Sequence, residues 1–262
     1  MTGLNLSGKR ALVCGASKGI GKTVALALAG HGAIVTVLAR DAAQLNKVLV
    51  ELPKPEDQDH DSIVADMSDT GSLLEMITRL TSLRDYEILI NNTGGPASGR
   101  LELATIPAFE SAFRQHVLAA HTLMQGVVPG MKKKAYGRIV NILSTSVKQP
   151  LDNLGVSNTI RAAMANWSKT LANELAASGI TVNNILPGAT ATDRLNEIIA
   201  KESGHQNTDP EMIAARMKSN IPIGRFAESE EIAAAVLFLA SPMASYITGI
   251  NLPVDGGRTR CL

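Results

Sequence analysis

Short apolar runs alternate with amphipathic stretches along the whole chain. Continuous apolar runs predict buried strands at 10–14, 33–39, 63–65, 88–90, 138–142 and 181–185. Apolar positions on one helical face predict helices near 22–31, 41–52, 70–83, 105–131, 155–178 and 228–240. Strands that are apolar throughout and separated by helices are typical of a parallel sheet covered on both faces. Because crossovers between parallel strands are right-handed, the pattern predicts an α/β doubly wound sheet in three layers.

No internal repeat or linker divides the sequence, so we expect a single domain over residues 1–262. The stretch 189–220 is polar and irregular, and it carries Gly204 and Pro210. It follows a predicted strand at the carboxyl end, where the ligand crevice of such a sheet opens. We therefore predict a mobile substrate flap at 189–220, with a passive surface excursion as the alternative.

Composition narrows the classes of function. The 25 basic and 24 acidic residues give a net charge of +1, and no basic patch is interleaved with aromatic side chains, so we expect no nucleic-acid partner. The apolar run 232–240 is too short to cross a bilayer and the first residues lack a signal pattern, so we expect no membrane association and a cytoplasmic protein. Cys14 and Cys261 lie at opposite ends of the chain without metal-type neighbours, which predicts no metal site.

A glycine-rich turn joins the first predicted strand to the first predicted helix, with the spacing Gly-x3-Gly-x-Gly. Glycine allows backbone amides to approach a pyrophosphate at a helix N-terminus. The position in the first βα unit favours nucleotide binding over an ordinary tight turn. The predicted cofactor-binding residues of this turn are Gly15, Ser17, Lys18, Gly19, Ile20 and Gly21.

The spacing resembles that of the short-chain dehydrogenase/reductase family, of the 3-oxoacyl-acyl-carrier-protein reductase type. Residues 91–94 read Asn-Asn-Thr-Gly and are similar to the family's Asn-Asn-Ala-Gly motif, and 187–192 is similar to its Pro-Gly-x-x-x-Thr turn. The segment 248–257 resembles its C-terminal signature. The resemblance implies a Rossmann-like fold, a nicotinamide dinucleotide, a small-molecule substrate and a homo-oligomer (tetramer or dimer). It also implies the cofactor-binding residues Asp66, Met67, Asn92, Thr93, Gly94, Pro187, Gly188, Thr190 and Thr192.

Charge near the end of the second predicted strand bears on the choice of dinucleotide. Family members that use NAD typically carry Asp at the place of Ala39, and no carboxylate stands there. Arg40 and Lys18 are instead two cations that can pair with a 2′-phosphate. The sequence therefore favours NADP(H) over NAD(H), the alternative being that both side chains are merely solvated.

The resemblance breaks down where the family carries an Asn-Ser-Tyr-Lys tetrad. Ser144 matches the serine, but alignment along the helix near 155–178 gives Ser157 for the tyrosine and Arg161 for the lysine. His116 stands at the place of the asparagine. A serine hydroxyl is a far weaker acid than a phenol, which titrates near 10. The loss of a positioned general acid typically costs about 10²–10⁴-fold in rate.

Three functions are compatible with these residues. The first is an NADPH-dependent oxidoreductase acting on a carbonyl or alcohol, with Ser144 as oxyanion donor and Arg161 as ribose anchor. Ser157 and His116 would then form a proton route, since the unperturbed pKa of histidine suits acid/base work. His116 is alternatively a core histidine, and Arg161 alternatively faces a carboxylate or phosphate in a substrate pocket. The second function is an NADP-binding sensor or partner protein without turnover, and other chemistry on the same fold is a third possibility.

Overall fold

In the computed structural model, which describes residues 4–261, seven parallel strands form one sheet. Their order is β3-β2-β1-β4-β5-β6-β7, and it reverses direction between β1 and β4. In such sheets the ligand crevice opens at the carboxyl ends of the strands beside that reversal. Residues 1–3, where the sequence shows no signal pattern, and residue 262 lie outside the described residues. The strands are β1 (Arg10–Cys14), β2 (Ile34–Ala39), β3 (Asp61–Val64), β4 (Ile88–Asn91), β5 (Gly137–Ile142), β6 (Ile180–Pro187) and β7 (Asn251–Val254).

Helices cover both faces of the sheet. They are α1 (Gly19–Gly30), α2 (Ala42–Glu51), α3 (Thr70–Leu83), α4 (Ile106–Phe113), α5 (Ala119–Lys133), α6 (Gly155–Leu175), α7 (Asp193–Gln206), α8 (Pro210–Ser219) and α9 (Ser229–Ala240). Helices α1, α2 and α9 share a core with one face of the strands, and α3, α5 and α6 share a core with the other. Within residues 4–261 no helix is both long enough and apolar enough to cross a membrane.

Each central strand contributes side chains to the apolar cores on both faces of the sheet. Val13 belongs to one core cluster, whereas its neighbour Leu12 belongs to the other. Ile90 and Leu89 divide in the same way on β4. Because successive side chains of a strand point to opposite faces, a strand buried on both sides must be apolar throughout. This explains the continuous apolar runs, and the predicted doubly wound, three-layer α/β fold is confirmed.

The stretch 189–220 is mostly helical, which corrects its description as irregular. Helix α8 begins with Pro210 after Asp209, whose carboxylate accepts a hydrogen bond from the Glu211 amide at 2.8 Å. Helix α7 ends at a residue in the left-handed conformation. The two helices pack on each other through a small apolar cluster formed by Leu195, Ile199 and Ile213.

The predicted helix at 105–131 is interrupted. A π-helical turn at Arg114–Leu118 separates α4 from α5. A π turn adds one residue to the helical repeat and so rotates the following side chains around the axis. Here it leaves His116 buried, while its neighbour Gln115 lines the cleft described below.

Candidate functional site

A cleft of about 800 Å³ opens at the carboxyl ends of the central strands. Gly21 lies buried beneath its glycine turn, and His116 lies behind its wall. The remaining sequence-predicted site residues line the cleft together: Gly15, Ser17, Lys18, Gly19, Ile20, Arg40, Asp66, Met67, Asn92, Thr93, Gly94, Ser144, Ser157, Arg161, Pro187, Gly188, Thr190 and Thr192.

The glycine turn requires glycine for two reasons. Gly15 has a φ of +59°, a left-handed conformation that side chains disfavour. A Cβ on Gly21 would lie 2.6 Å from Asn92 Nδ2, closer than real contacts allow. The side-chain amide Nδ2 of Asn92 donates a hydrogen bond to the Gly15 carbonyl oxygen at 3.1 Å and so connects the turn to the end of β4. The turn, which we call the glycine cradle, is therefore fixed in place, and Gly15 and Gly21 exclude a side chain at two of its positions.

Helix α1 begins at this cradle with free amides. Its first residue is Gly19, and Lys18 at the N-cap makes no side-chain hydrogen bond to the first turn. The first amides of a helix lack intrahelical acceptors, and the helix dipole favours negative charge there. This end of the cleft therefore suits a pyrophosphate, and the residues present fit the dinucleotide that the sequence predicts.

Two exposed cations lie at the outer end of the cleft. Arg40 Nη1 is 3.9 Å from Asp66 Oδ2, and Lys18 Nζ is 4.0 Å from Glu197 Oε1 on α7. The Ser68 amide and hydroxyl, both at 2.8 Å, donate to Asp66 and lower the pKa of its carboxyl. Both cations are held loosely at the surface, where a phosphate could compete for them.

Ser144 lies at the inner end of the cleft, directly after β5. Its Oγ accepts a hydrogen bond from the Ser146 amide at 3.1 Å, which leaves the hydroxyl proton available for a ligand. A neutral donor fixed in this way can hold a carbonyl oxygen that gains negative charge.

Ser157 and Arg161 are one turn apart on α6, so they lie on the same helical face beside Ser144. Arg161 Nη1 donates to the Ile142 carbonyl at 2.8 Å. Burial lowers the pKa of Arg161 to about 10, so the side chain stays charged at neutral pH. Among the described residues that line the cleft, none is a tyrosine.

His116 is a buried, neutral histidine. The ring is 4% exposed, and Nδ1 lies 2.6 Å from Thr93 Oγ1. Burial and the nearby positive charge of Arg161 lower its pKa to about 3. A ring that is neutral near pH 7 and separated from the main cleft is a poor proton donor. This geometry favours the alternative of a core histidine with a polar partner, and the proton route through His116 stays a prediction.

Three buried asparagines and one half-buried asparagine form a row of hydrogen bonds across β4, β5, β6 and β7. Asn91 Nδ2 donates to Asn141 Oδ1 at 2.8 Å, and Asn141 Nδ2 donates to Asn184 Oδ1 at 2.9 Å. Asn184 Nδ2 then donates to Asn251 Oδ1 at 2.8 Å. Every donation runs from β4 toward β7, so the side-chain oxygen Oδ1 of Asn91 accepts from no other member of the row, and Asn91 lines a small inner cavity with Arg161. We call these four residues the asparagine ladder.

Several residues of the site were not predicted from the sequence. The asparagines of the ladder occupy paired positions on neighbouring strands, a register that only the structure shows. Gln115 leaves none, since only the π turn brings it to the cleft. Leu195 and Ile198 of α7 add apolar walls within the stretch predicted as a flap. In the described part of the chain, no group of three or more His, Cys, Asp or Glu side chains is arranged to hold a metal ion.

Comparison with known proteins identifies the family. The family model described as enoyl-(acyl carrier protein) reductase matches residues 15–259. The chain belongs to the short-chain dehydrogenase/reductase family. The resemblance inferred from its motifs, including the 3-oxoacyl-acyl-carrier-protein reductase type, is thereby confirmed.

Its similarity to individual members of the short-chain dehydrogenase/reductase family covers nearly the whole chain. It is 31% identical to the NADPH-dependent reductase BacG of Bacillus subtilis, over 98% of this chain and 100% of that protein. It is 33% identical to the 3-oxoacyl-[acyl-carrier-protein] reductase FabG of Haemophilus influenzae, over 96% and 98% of the two chains. The crystal structure of L-sorbose reductase from Gluconobacter frateurii, complexed with NADPH and L-sorbose, matches with a TM-score of 0.93 and 29% identity over 100% of both chains.

Proposed function

We propose that this short-chain dehydrogenase/reductase is an NADP(H)-dependent oxidoreductase that reduces a carbonyl group or oxidises an alcohol of a small molecule. The observation that carries the proposal is that the glycine cradle and Ser144 line one continuous cleft. The NADPH-dependent reductases among the relatives support the same class of reaction.

The chain's own residues account for dinucleotide binding. The free amides of α1 hold the pyrophosphate, and Arg40 with Lys18 holds the 2′-phosphate. When bound, NADPH supplies the hydride and thus the redox chemistry of the reaction. Beyond the cradle, the proposed contacts come from Asp66, Met67, Asn92, Thr93, Gly94, Pro187, Gly188, Thr190 and Thr192.

Three side chains act on the substrate in this proposal. The Ser144 hydroxyl donates a hydrogen bond to the reacting oxygen, and the charge of Arg161 stabilises the negative charge that develops there. Ser157 Oγ donates to the same oxygen and passes it a proton from solvent in the cleft. This assigns Ser157 the position of the customary tyrosine without its acidity, so we expect slow turnover.

Cofactor preference can be tested with Arg40→Ala. We expect the variant to bind NADPH about tenfold more weakly with little change for NADH, because only NADPH carries the 2′-phosphate. Protein fluorescence titration with both dinucleotides measures the two dissociation constants. Lys47→Ala is the matched control, an exposed cation on α2 that does not line the cleft. Equal losses for NADPH and NADH would contradict the assignment.

Turnover is tested by NADPH oxidation over a panel of aldehydes, ketones and oxo acids. We expect activity that Ser144→Ala lowers by about 10²-fold, the typical cost of removing one oxyanion donor. Tight NADPH binding without turnover on any compound would refute the oxidoreductase function.

A second candidate function is an NADP-binding sensor or partner protein without turnover. It is favoured by the absence of tyrosine among the described lining residues and by the neutral state of His116. The double change Ser157→Tyr with Arg161→Lys distinguishes the two functions. Activity that arises only in the double variant would support the second.

We further propose that α7 and α8 act as the substrate flap over the cleft. Leu195 and Ile198 contribute to the cleft wall, and the ion pair between Lys18 and Glu197 joins α7 to the glycine turn. Because the flap is attached to the rest of the chain through few apolar contacts, ligand binding can shift its position at low cost.

We also propose a homo-oligomer, either a dimer or a tetramer. Leu103 is 73% exposed and Ile106 is 70% exposed beside α4, an apolar surface that a second copy could cover. Light scattering at several protein concentrations measures the assembly, and a monomer throughout would contradict the proposal.

A further inference from the structure

Arg161 is the innermost cation of the cleft, and most of its donors lack a protein acceptor. The residue is 7% exposed. Nη1 donates to the Ile142 carbonyl, while Nε is buried without a partner and Nη2 points toward Gly95, which has no side chain to cover it. Among residues 4–261, one of the five N–H groups thus has a protein acceptor. A guanidinium carries five donors in a planar fork, and in Arg161 the terminal edge at Nη2 is the part left available to a ligand in the cleft.

The charge of Arg161 also lacks a protein counter-ion. The other cations that line the cleft each lie within 4.0 Å of a carboxylate: Lys18 and Arg194 at Glu197, and Arg40 at Asp66. No carboxylate of the described residues lies that close to Arg161. An isolated buried charge is costly, so the site favours a ligand that supplies an anion.

The acids of the cleft wall lie on other elements and form no ion pair with Arg161. Asp41 accepts a hydrogen bond from the Gln44 amide at the start of α2. Asp66 is held by Ser68, and Asp193 lies in the first turn of α7. The phosphates of a dinucleotide are assigned to the outer end of the cleft, and the hydroxyls of a ribose are neutral. The substrate therefore remains as the source of the anion.

The surroundings of Arg161 indicate what kind of anion fits. Ser144 and Ser157 provide neutral donors beside it, and the nearby walls are apolar, formed by Leu143 and Leu154. A planar carboxylate matches the guanidinium fork with two parallel hydrogen bonds. A small acid with an adjacent carbonyl would place its carboxylate at Arg161 and its reacting oxygen at the serines.

We propose that Arg161 binds the carboxylate of a small 2-oxo or 3-oxo acid, or of the corresponding hydroxy acid, and so determines substrate specificity. The identity of the acid as a substrate rests on the oxidoreductase function proposed above. The anion site itself does not, because binding can be measured without turnover.

The test compares 2-oxobutanoate and 3-oxobutanoate with their methyl esters. Isothermal titration calorimetry measures their binding to the enzyme saturated with NADP⁺, which cannot reduce them. Removing one partner of a buried charge pair typically costs 2–5 kcal/mol, so we expect one acid to bind at least about 30-fold more tightly than its ester. Arg161→Gln should bring that ratio near one, and Arg161→Lys should restore part of it. Arg79→Gln, an exposed arginine of α3 outside the cleft, is the matched control.

Equal affinity for acid and ester in the wild type, or no binding of either acid, overturns the proposal. So does an acid preference that survives in Arg161→Gln. The wild-type ratio is a sufficient test by itself if the variants do not fold. NADPH oxidation with the same compounds separates the two proposals. Acid-selective binding without turnover would contradict the oxidoreductase function and support the anion site. Turnover with equal kcat/KM for acid and ester would support the oxidoreductase function and contradict the anion site.

Discussion

His116 should make the protein less stable in mild acid. Burial is the main reason that its pKa falls from 6.5 to about 3 in the folded protein, and the positive charge of Arg161 is the second. The unfolded chain binds a proton below pH 6.5, while the folded protein does not until about pH 3. Between these values the unfolded state binds more protons, so stability decreases as the pH falls. Above about pH 6.5 the contribution is fully present.

The expected size follows from the two pKa values. For each pH unit below 6.5, protonation of the unfolded state lowers the free energy of unfolding by about 1.4 kcal/mol. The free energy of unfolding at pH 5 is therefore about 2 kcal/mol lower than at pH 7.5. Urea unfolding of the wild type and of His116→Asn at both pH values measures this difference. Asparagine does not titrate and keeps a hydrogen-bonding partner for Thr93. Between pH 7.5 and pH 5, we expect the free energy of unfolding of the wild type to fall by about 2 kcal/mol more than that of the variant.

His205→Asn is the matched control, because His205 is an exposed histidine on α7. It should leave the loss between the two pH values unchanged. An equal loss in the wild type and in His116→Asn would show that His116 is charged in the folded protein. The burial and charge arguments for its neutral state would then both fail.

Three further predictions concern the cradle, the asparagine ladder and the flap. Gly21→Ala should lower stability by about 1–3 kcal/mol in thermal unfolding and weaken NADPH binding at least tenfold in fluorescence titration, because its Cβ would clash with the Gly15 carbonyl oxygen and with Asn92. Gly71→Ala on α3, whose Cβ would meet only Asp69 Oδ1 at 3.6 Å, should neither lower stability nor weaken binding. Asn141→Leu should cost at least about 2 kcal/mol in urea unfolding, since it leaves several buried partners unpaired. Hydrogen exchange of residues 193–219 should slow on addition of NADPH, and an unchanged rate would argue against the flap.

The central strands of the sheet could be predicted because the composition of each strand is sufficient to identify it. A strand buried on both faces must be apolar throughout, and the run at 138–142 differs from the observed Gly137–Ile142 by one residue. Strand β7 lacks such a run, since all four of its residues are only half-buried and one is Pro253. Its pairing with β6 defines it, and pairing is not visible in four residues.

The site could be predicted only where a short motif carries the geometry. The glycine spacing marks the turn at Gly15, since backbone conformation and close approach at that turn both exclude side chains. The roles of Gln115 and His116 depend instead on a π turn, which lies against α6 and is marked by no local sequence pattern. Helices α7 and α8 share a core of three buried apolar residues, too few to produce a clear helical period in the sequence.

The asparagine ladder has a consequence for how the protein is made. Its last acceptor, Asn251, lies on the final strand, and the Gly188 amide of the cleft also bonds to the Val254 carbonyl there at 2.9 Å. A growing polypeptide cannot assemble this network until β7 has emerged from the ribosome. Nascent chains stalled before β7 would therefore bind dinucleotide poorly.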